Sequence, residues 1–222
     1  MKKIQLHAYA KINLTLDVTG RRPNGYHDVE MIMQQISLCD EVTVSWEAGS
    51  VRRGNPDQTV ESDPAGIQIQ LTVSRPDLPA DSSNLAWKAA AEMIAEFGGP
   101  AGGSSKAAAG TEAAGGAARD AADTEAAGGN AKAAADTEAA GGVLTIDIQK
   151  QIPMAAGLAG GSSNCAAVLH AINQLWELNL SVKELCRIGA RLGSDVPFCI
   201  MGQAAAEEAL QESFADDPDA CH

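Results

Sequence analysis

Alternation of apolar and polar residues dominates the first part of the chain. Ile4, Leu6 and Ala8 occupy every second position, and the stretch 12–18 repeats this spacing. A period of two is typical of β-strands with one buried face. A turn rich in glycine and arginine at 20–25 separates these strands from the next two. We therefore predict strands at 4–8, 12–18, 29–38 and 41–46.

A helical period appears at 84–97. Leu85, Ala89, Met93 and Phe97 recur at every fourth position among strong helix formers, which predicts an amphipathic helix. Its candidate N-caps are Asp81, Ser82 and Ser83. The other predicted elements are strands at 67–74 and 143–150, helices at 163–178 and 181–192 with a capping box of Ser181 and Glu184, and a turn with a short apolar strand at 193–201.

Two segments differ from the rest of the chain in composition. Residues 98–142 include 29 alanines or glycines among 45 positions, and Thr-Glu-Ala-Ala-Gly-Gly recurs there every 13 residues. Because this segment lacks large apolar side chains, it cannot bury enough surface to offset the entropy of ordering. We predict a flexible insert at 98–142 within a folded domain made of 1–97 and 143–202. The pattern ends after Gly202, and an acidic tail follows at 203–222.

The net charge of −13 comes mostly from the insert and the tail. Without them, 13 basic and 17 acidic side chains remain, a net charge of −4. This near balance argues against a nucleic-acid binder, which needs a basic face. No apolar run has the length of a membrane span, no signal peptide is recognisable, and the five scattered cysteines indicate reduced thiols. We expect a cytoplasmic protein with a small-molecule partner, and the sequence favours no oligomeric state.

The strongest chemical signal is a glycine-rich loop between the strand predicted at 143–150 and the helix that follows it. Gly157, Gly160 and Gly161 let the backbone bend closely around a ligand, and the first amides of the helix are free to donate. The partial positive charge of a helix N-terminus favours a phosphate. Neither the Walker spacing nor the dinucleotide-binding glycine spacing is present. From the loop alone, phosphate binding and a ligand-free turn both stay open.

Three segments, read together and in this order, resemble the motifs of the GHMP small-molecule kinases. They are Ala8-Tyr-Ala-Lys-Ile-Asn-Leu14, Pro153-Met-Ala-Ala-Gly-Leu-Ala-Gly-Gly-Ser-Ser163 and Gly193-Ser-Asp-Val-Pro-Phe198. A fourth segment, Arg22-Pro-Asn-Gly-Tyr-His27, is similar to the branch of the family whose acceptor carries a cytosine. The resemblance implies an α+β fold, the ribosomal protein S5 domain 2-like N-terminal domain of a GHMP kinase. It also implies a phosphotransferase that uses ATP with Mg²⁺ to phosphorylate a hydroxyl of a small molecule.

The resemblance further implies roles for individual residues. Lys11 matches an active-site lysine, and Asp195 matches an aspartate that accepts the proton of the attacking hydroxyl. Asn13, Tyr26 and His27 match residues that bind the acceptor, whereas Asn84 matches a residue near the adenine. No carboxylate identifies itself as a magnesium ligand. The loop that holds the ATP phosphates corresponds to Pro153, Met154, Ala155, Ala156, Gly157, Leu158, Ala159, Gly160, Gly161, Ser162 and Ser163.

Two alternative functions remain open. Family members continue after Asp-Val-Pro-Phe into a second domain that closes the substrate cleft, whereas an acidic tail follows Gly202 here. We expect that domain to be missing, so the first alternative is an inactive nucleotide-binding module. The second is a GHMP kinase for mevalonate, homoserine or a sugar. The segment Gly25-Tyr26-His27 disfavours it, because those acceptors have no cytosine.

Overall fold

The computed structural model describes residues 1–21, 25, 27–49, 66–100 and 141–216, with side chains up to residue 208. Most of the predicted insert therefore lies outside the described residues, and so does Tyr26. The described residues form a mixed sheet with four helices on one of its faces. The predicted α+β class is confirmed.

The strands of the sheet are β1 (Lys2–Arg21), β2 (His27–Ala48), β3 (Ile67–Val73) and β4 (Gly142–Gln149). They lie in the order β1-β2-β4-β3. β2 is antiparallel to both β1 and β4, whereas β3 runs parallel to β4. The first two predicted strands are parts of β1, and the next two are parts of β2, because pairing continues across the polar residues between them.

One face of the sheet is apolar and lies under the helices. Alternate residues of β4 are buried, as the period of two predicts. Each fully buried aliphatic side chain contributes roughly 1.5–3 kcal/mol to stability. Three cross-strand pairs on this face join β2 to β4, namely Val42 with Ile148, Val44 with Ile146 and Trp46 with Leu144.

The helices on this face are α1 (Leu85–Phe97), α2 (Gly160–Leu175), α3 (Val182–Leu192) and α4 (Val196–Asp216). α2 lies at the centre, where it contacts the other three helices as well as β1 and β2. Its small buried residues, among them Ala166, Ala167 and Ala171, permit this close approach. Among the helices in the described ranges, none is long and apolar enough to cross a membrane.

The N-cap of α1 differs from the predicted candidates. Asn84 caps the helix, and its side chain accepts the amide of Ala86 at 2.9 Å. Asp81 stabilises the turn before the helix, since its carboxylate accepts both the amide and the hydroxyl of Ser83. The prediction of Asp81, Ser82 or Ser83 as the cap was therefore wrong, because these residues close the turn that leads into the helix.

The two C-terminal helices give one confirmation and one correction. Ser181 and Glu184 form the predicted capping box at the start of α3. The strand predicted within 193–201 is wrong, because these residues open α4. A short apolar run fits a strand or a helix equally well by periodicity, and Pro197 is tolerated in a first helical turn. The Ala- and Glu-rich residues after Gly202 then continue the helix.

β1 and β2 extend beyond the rest of the sheet as a two-stranded arm. β4 pairs only with Glu41–Ala48 of β2, and the arm beyond Lys11 consists of residues 11–21 of β1 and 27–35 of β2, which pair with each other. Its inner end, at Lys11, lies against the helices and leads into the candidate site. The arm exposes the apolar side chains of Leu14, Leu16, Val18, Val29 and Ile32.

Candidate active site

The loop between β4 and α2 has a sharply turned backbone. Ala155, Gly157 and Ala159 have φ angles of 54°, 72° and 55°, all in the left-handed region. Glycine adopts this region freely, whereas the Cβ atom of alanine makes it cost roughly 1–2 kcal/mol per residue. Two loop alanines are therefore held in a strained conformation, which something else in the fold must stabilise.

Free backbone donors meet at the start of α2. The N-cap Ala159 offers no side-chain hydrogen bond, and the first turn has no acidic residue. The amide of Ser163 already donates to the Ala159 carbonyl at 2.9 Å. The amides of Gly160, Gly161 and Ser162 precede that bond, so they have no acceptor within the helix. With the helix dipole, they form an N-terminus suited to a phosphate.

These donors line a cleft of about 420 Å³. The loop forms one wall, and the ends of β3 and β4 together with the start of α1 form the other. That second wall is largely apolar, with Val73, Leu78, Leu85 and Ile148 among its residues. An apolar wall opposite a set of backbone donors suits a ligand with a flat ring at one end and phosphates at the other.

Asn84 lies at this cleft, as the sequence indicated. Its side chain is already used, because Oδ1 accepts the Ala86 amide and Nδ2 donates to the Pro79 carbonyl at 2.8 Å. Asn84 therefore shapes the wall of the cleft through its contacts with α1 and with the preceding turn.

Lys11 and Asp195 meet beside the loop. Lys11 Nζ lies 3.4 Å from Asp195 Oδ2 and donates to Asn13 Oδ1 at 3.0 Å. The lysine side chain is only 5% exposed, whereas that of Asp195 is 32% exposed. Asp195 stands just before α4, and its carbonyl accepts the amide of Cys199. A buried cation thus steadies a carboxylate that remains accessible to a substrate.

Backbone contacts join this pair to the loop. The Lys11 amide donates to the Leu158 carbonyl at 3.1 Å, and the Ser163 hydroxyl donates to the Tyr9 carbonyl. The pairing of β1 with β2 is irregular here, because Tyr9 and Lys11 pair with residues four positions apart on β2. The sequence motif around Lys11 and the glycine loop therefore belong to one site.

Two buried thiols, Cys199 near the ion pair and Cys165 next to Cys199, are neutral. Burial raises the pKa of the Cys199 thiol, although its hydrogen bond with Ser163 opposes the shift. Burial also raises the pKa of Cys165 to about 12. Both thiols therefore stay protonated at neutral pH and are poor nucleophiles. The charged groups near Cys199 are Lys11 and Asp195.

The residues predicted to bind the acceptor are spread along the arm. Asn13 is exposed and accepts from Lys11, which places it beside the ion pair. His27 is exposed at the start of β2, where it pairs with Arg21, ten residues beyond Lys11 on β1. The structure thus brings Asn13 to the ion pair but leaves His27 at the other end of the arm.

The sequence analysis missed a buried charged cluster behind the loop. Lys150 forms an ion pair with Asp40 and donates to Asn164 Oδ1 at 3.1 Å. Asp40 is fully buried. A signal was present, because Asp40 stands in the gap between the strands predicted at 29–38 and 41–46. Asp40 is a charged residue between two segments that form one strand. A charge at such a position indicates a contact with an oppositely charged partner.

Comparison with known proteins identifies the relatives of this chain. The sequence profile described as GHMP kinases N terminal domain matches residues 127–203. The chain is 37% identical over 212 residues to the 4-diphosphocytidyl-2-C-methyl-D-erythritol kinase of Alkaliphilus metalliredigens, covering 96% of this chain and 53% of that relative. The kinase of the same name from Geobacter metallireducens is 35% identical over 212 residues, covering 96% of this chain and 55% of the relative.

A crystal structure of 4-(cytidine 5'-diphospho)-2C-methyl-D-erythritol kinase has the same architecture. It matches with a TM-score of 0.52 and 25% sequence identity, over 90% of this chain and 49% of that one. The chain spans about half the length of the curated relatives it matches. The order of the motifs, the strand–loop–helix unit and these similarities lead to one conclusion: the described residues have the fold of a GHMP kinase N-terminal domain.

Proposed function

We propose that the chain transfers the γ-phosphoryl group of ATP to the 2-hydroxyl of 4-diphosphocytidyl-2-C-methyl-D-erythritol, a step in non-mevalonate isoprenoid precursor synthesis. The observation that carries the proposal is the Lys11–Asp195 ion pair beside a loop with free helix N-terminal amides. The names of the relatives supply the identity of the acceptor.

Asp195 acts as the general base in this proposal. Its accessible carboxylate accepts the proton of the acceptor hydroxyl as the hydroxyl oxygen attacks the γ-phosphorus. The bond between the γ-phosphorus and the bridging oxygen breaks, and ADP leaves with that electron pair. Asp195 fits the role because its backbone is fixed at the start of α4 while its side chain is one-third exposed.

Lys11 orients Asp195 and stabilises charge on the transferring phosphoryl group. Its ammonium group is almost fully buried, so water screens its interactions weakly. The hydrogen bond to Asn13 fixes the direction of the ammonium group. The bond from its backbone to Leu158 holds it at a constant position relative to the phosphate loop.

ATP binds in the cleft with its phosphates on the loop from Pro153 to Ser163 and its adenine against the apolar wall near Asn84 and Leu85. Mg²⁺ accompanies ATP and neutralises phosphate charge when bound. Within the described residues there is no group of three or more His, Cys, Asp or Glu side chains that could hold a metal ion. Phosphate oxygens and water are the usual ligands of nucleotide-bound magnesium.

The acceptor lies along the arm, with its reacting hydroxyl near Asn13 and its cytosine near Tyr26 and His27. Tyr26 lies outside the described residues, and the position of His27 supports a contact with the end of the acceptor away from the reaction centre. The cytoplasm is the compartment we assign, because the four described cysteines carry free thiols.

The test is ADP release by the purified chain with ATP, Mg²⁺ and the cytidine diphosphate acceptor. We expect turnover that requires this acceptor, and loss of turnover with retained ATP binding in Asp195→Asn. ATP binding without turnover in the unsubstituted chain would favour the inactive binding module. Turnover with mevalonate or homoserine would favour the other alternative, and absence of ATP binding would contradict the proposal altogether.

A further inference from the structure

Three polar side chains form a closed network behind the phosphate loop. Lys150 Nζ contacts Asp40 Oδ2 and donates to Asn164 Oδ1. Asn164 Nδ2 donates to the same Asp40 oxygen at 2.8 Å. All three are buried: Asp40 is 0% exposed, and the Lys150 side chain is 5% exposed. Lys150 and Asn164 also line the cleft, whereas Asp40 is not among the residues that line it.

The other oxygen of Asp40 binds the backbone where the loop begins. Asp40 Oδ1 accepts the amide of Gln151 at 2.7 Å and the amide of Ile152 at 2.8 Å. These residues immediately precede Pro153, the first residue of the loop. Since Asp40 belongs to β2, its carboxylate fastens the loop entrance to the sheet. Ile152 is itself buried, so its amide has no water to replace Asp40.

The network also reaches the far end of the loop. Asn164 is in the second turn of α2, four residues after its first residue, Gly160. A Cβ atom at Gly160 would lie 3.0 Å from Lys150 Nζ and 3.0 Å from the Ile152 side chain. Lys150 is thus packed against the first residue of the phosphate-binding helix. Both ends of the loop are held by the same three side chains.

We propose that Asp40 is a positioning residue for ATP, which acts by accepting the Gln151 and Ile152 amides. Lys150 neutralises the buried carboxylate, and Asn164 connects it to α2. This inference rests on the proposed function, in which the loop holds the ATP phosphates. The network holds Ala155 and Ala159 in their strained conformations, so the loop amides face the phosphates before ATP binds.

Two double variants separate this role from a general contribution to stability. Asp40→Asn with Lys150→Met removes both charges but leaves an amide oxygen that can accept the two backbone amides. Asp40→Leu with Lys150→Met also removes both charges and leaves no acceptor. Replacing a buried ion pair by uncharged residues of similar size is often neutral for folding. The control removes the exposed pair of Lys2 and Glu177 by Lys2→Met with Glu177→Gln.

The readouts are the affinity for ATP with Mg²⁺ by titration calorimetry and the midpoint of thermal unfolding. We expect affinity within threefold of the unsubstituted chain for the control. Because Lys150 lines the cleft, the two Asp40 variants, which both lack it, are compared with each other. We expect at least tenfold weaker binding for Asp40→Leu with Lys150→Met than for Asp40→Asn with Lys150→Met, measured well below a midpoint that the two unpaired backbone amides lower. If the affinity for ATP falls equally in both Asp40 variants, or falls in neither, the inference is overturned.

Two further measurements cover the other outcomes. If the leucine variant does not fold, Asp40→Ala with Lys150→Met replaces it, with at least threefold weaker binding expected than for Asp40→Asn with Lys150→Met and equal binding counting against the network. If the unsubstituted chain does not bind ATP, the proposed function fails separately. Amide exchange in 154–159 without nucleotide then tests the anchoring, and it should be at least tenfold faster only in the leucine variant. Equal exchange in the two Asp40 variants would overturn it.

Discussion

The Lys11–Asp195 pair should respond very differently to the removal of each partner. Asp195→Asn leaves a buried ammonium group whose remaining contact is the Asn13 oxygen, whereas Lys11→Met leaves a carboxylate that water already reaches. Loss of one partner is severe only when the charge left behind is buried. We therefore expect Asp195→Asn to destabilise the fold more than Lys11→Met does.

The distance between the two charges sets the size of the expected change in the free energy of unfolding. At 3.4 Å and an effective dielectric constant near 20, the Coulomb attraction is about 5 kcal/mol. Hydration of Asp195 and the bond from Lys11 to Asn13 both reduce the net effect. We expect Asp195→Asn to lower the free energy of unfolding by about 2 kcal/mol and Lys11→Met by less than about 1 kcal/mol.

Urea unfolding of both single variants and the double variant, followed by tryptophan fluorescence, measures this asymmetry. The double variant should be more stable than Asp195→Asn alone, because it no longer buries an unpaired charge. If Lys11→Met costs as much as Asp195→Asn, or if the double variant is the least stable, the assigned burial of the pair is wrong.

Three further predictions concern the loop and the helices. Ala159→Gly should raise the free energy of unfolding by about 1 kcal/mol, because φ is 55° there; an unchanged urea midpoint would contradict the strain. Ser181→Ala should lower it by about 1 kcal/mol through loss of the capping box, measured against Ser162→Ala as the control. Burial lowers the pKa of His170, so this ring stays neutral when folded and takes up a proton on unfolding near pH 6.5. Stability should therefore fall as pH drops below about 6.5, by up to about 1.4 kcal/mol per unit, and urea unfolding of His170→Gln should lose this part of the slope; an identical slope would exclude His170 as the cause.

The sequence predicted those parts of the fold in which local pattern and tertiary structure agree. β4 and its buried alternate residues followed from the period of two, and α3 followed from its capping box. The glycine loop and the motif of Lys11 indicated a common site, and the structure joins them through the Leu158 carbonyl. In each case the decisive signal lies within a few residues.

The features that the sequence did not predict depend on distant contacts. The apolar run before Gly202 satisfied strand and helix patterns equally, and only its packing against α2 and α3 distinguishes them. The position of Asp40 between two predicted strands marks it as unusual but does not identify its partners, because Lys150 and Asn164 lie more than 100 residues away in the sequence. Pairwise polar contacts across such separations leave no periodicity that a single sequence can show.

The hydrogen bond from the Lys11 amide to the Leu158 carbonyl makes the strand and the loop thermodynamically dependent on each other. Any opening of the loop must break this bond, and any fraying of the arm at Lys11 removes an anchor of the loop. This dependence is reciprocal. If a phosphate on the loop strengthens the bond between Lys11 and Leu158, then that bond strengthens phosphate binding by the same free energy. Occupancy of the loop therefore stabilises β1 against fraying at Lys11.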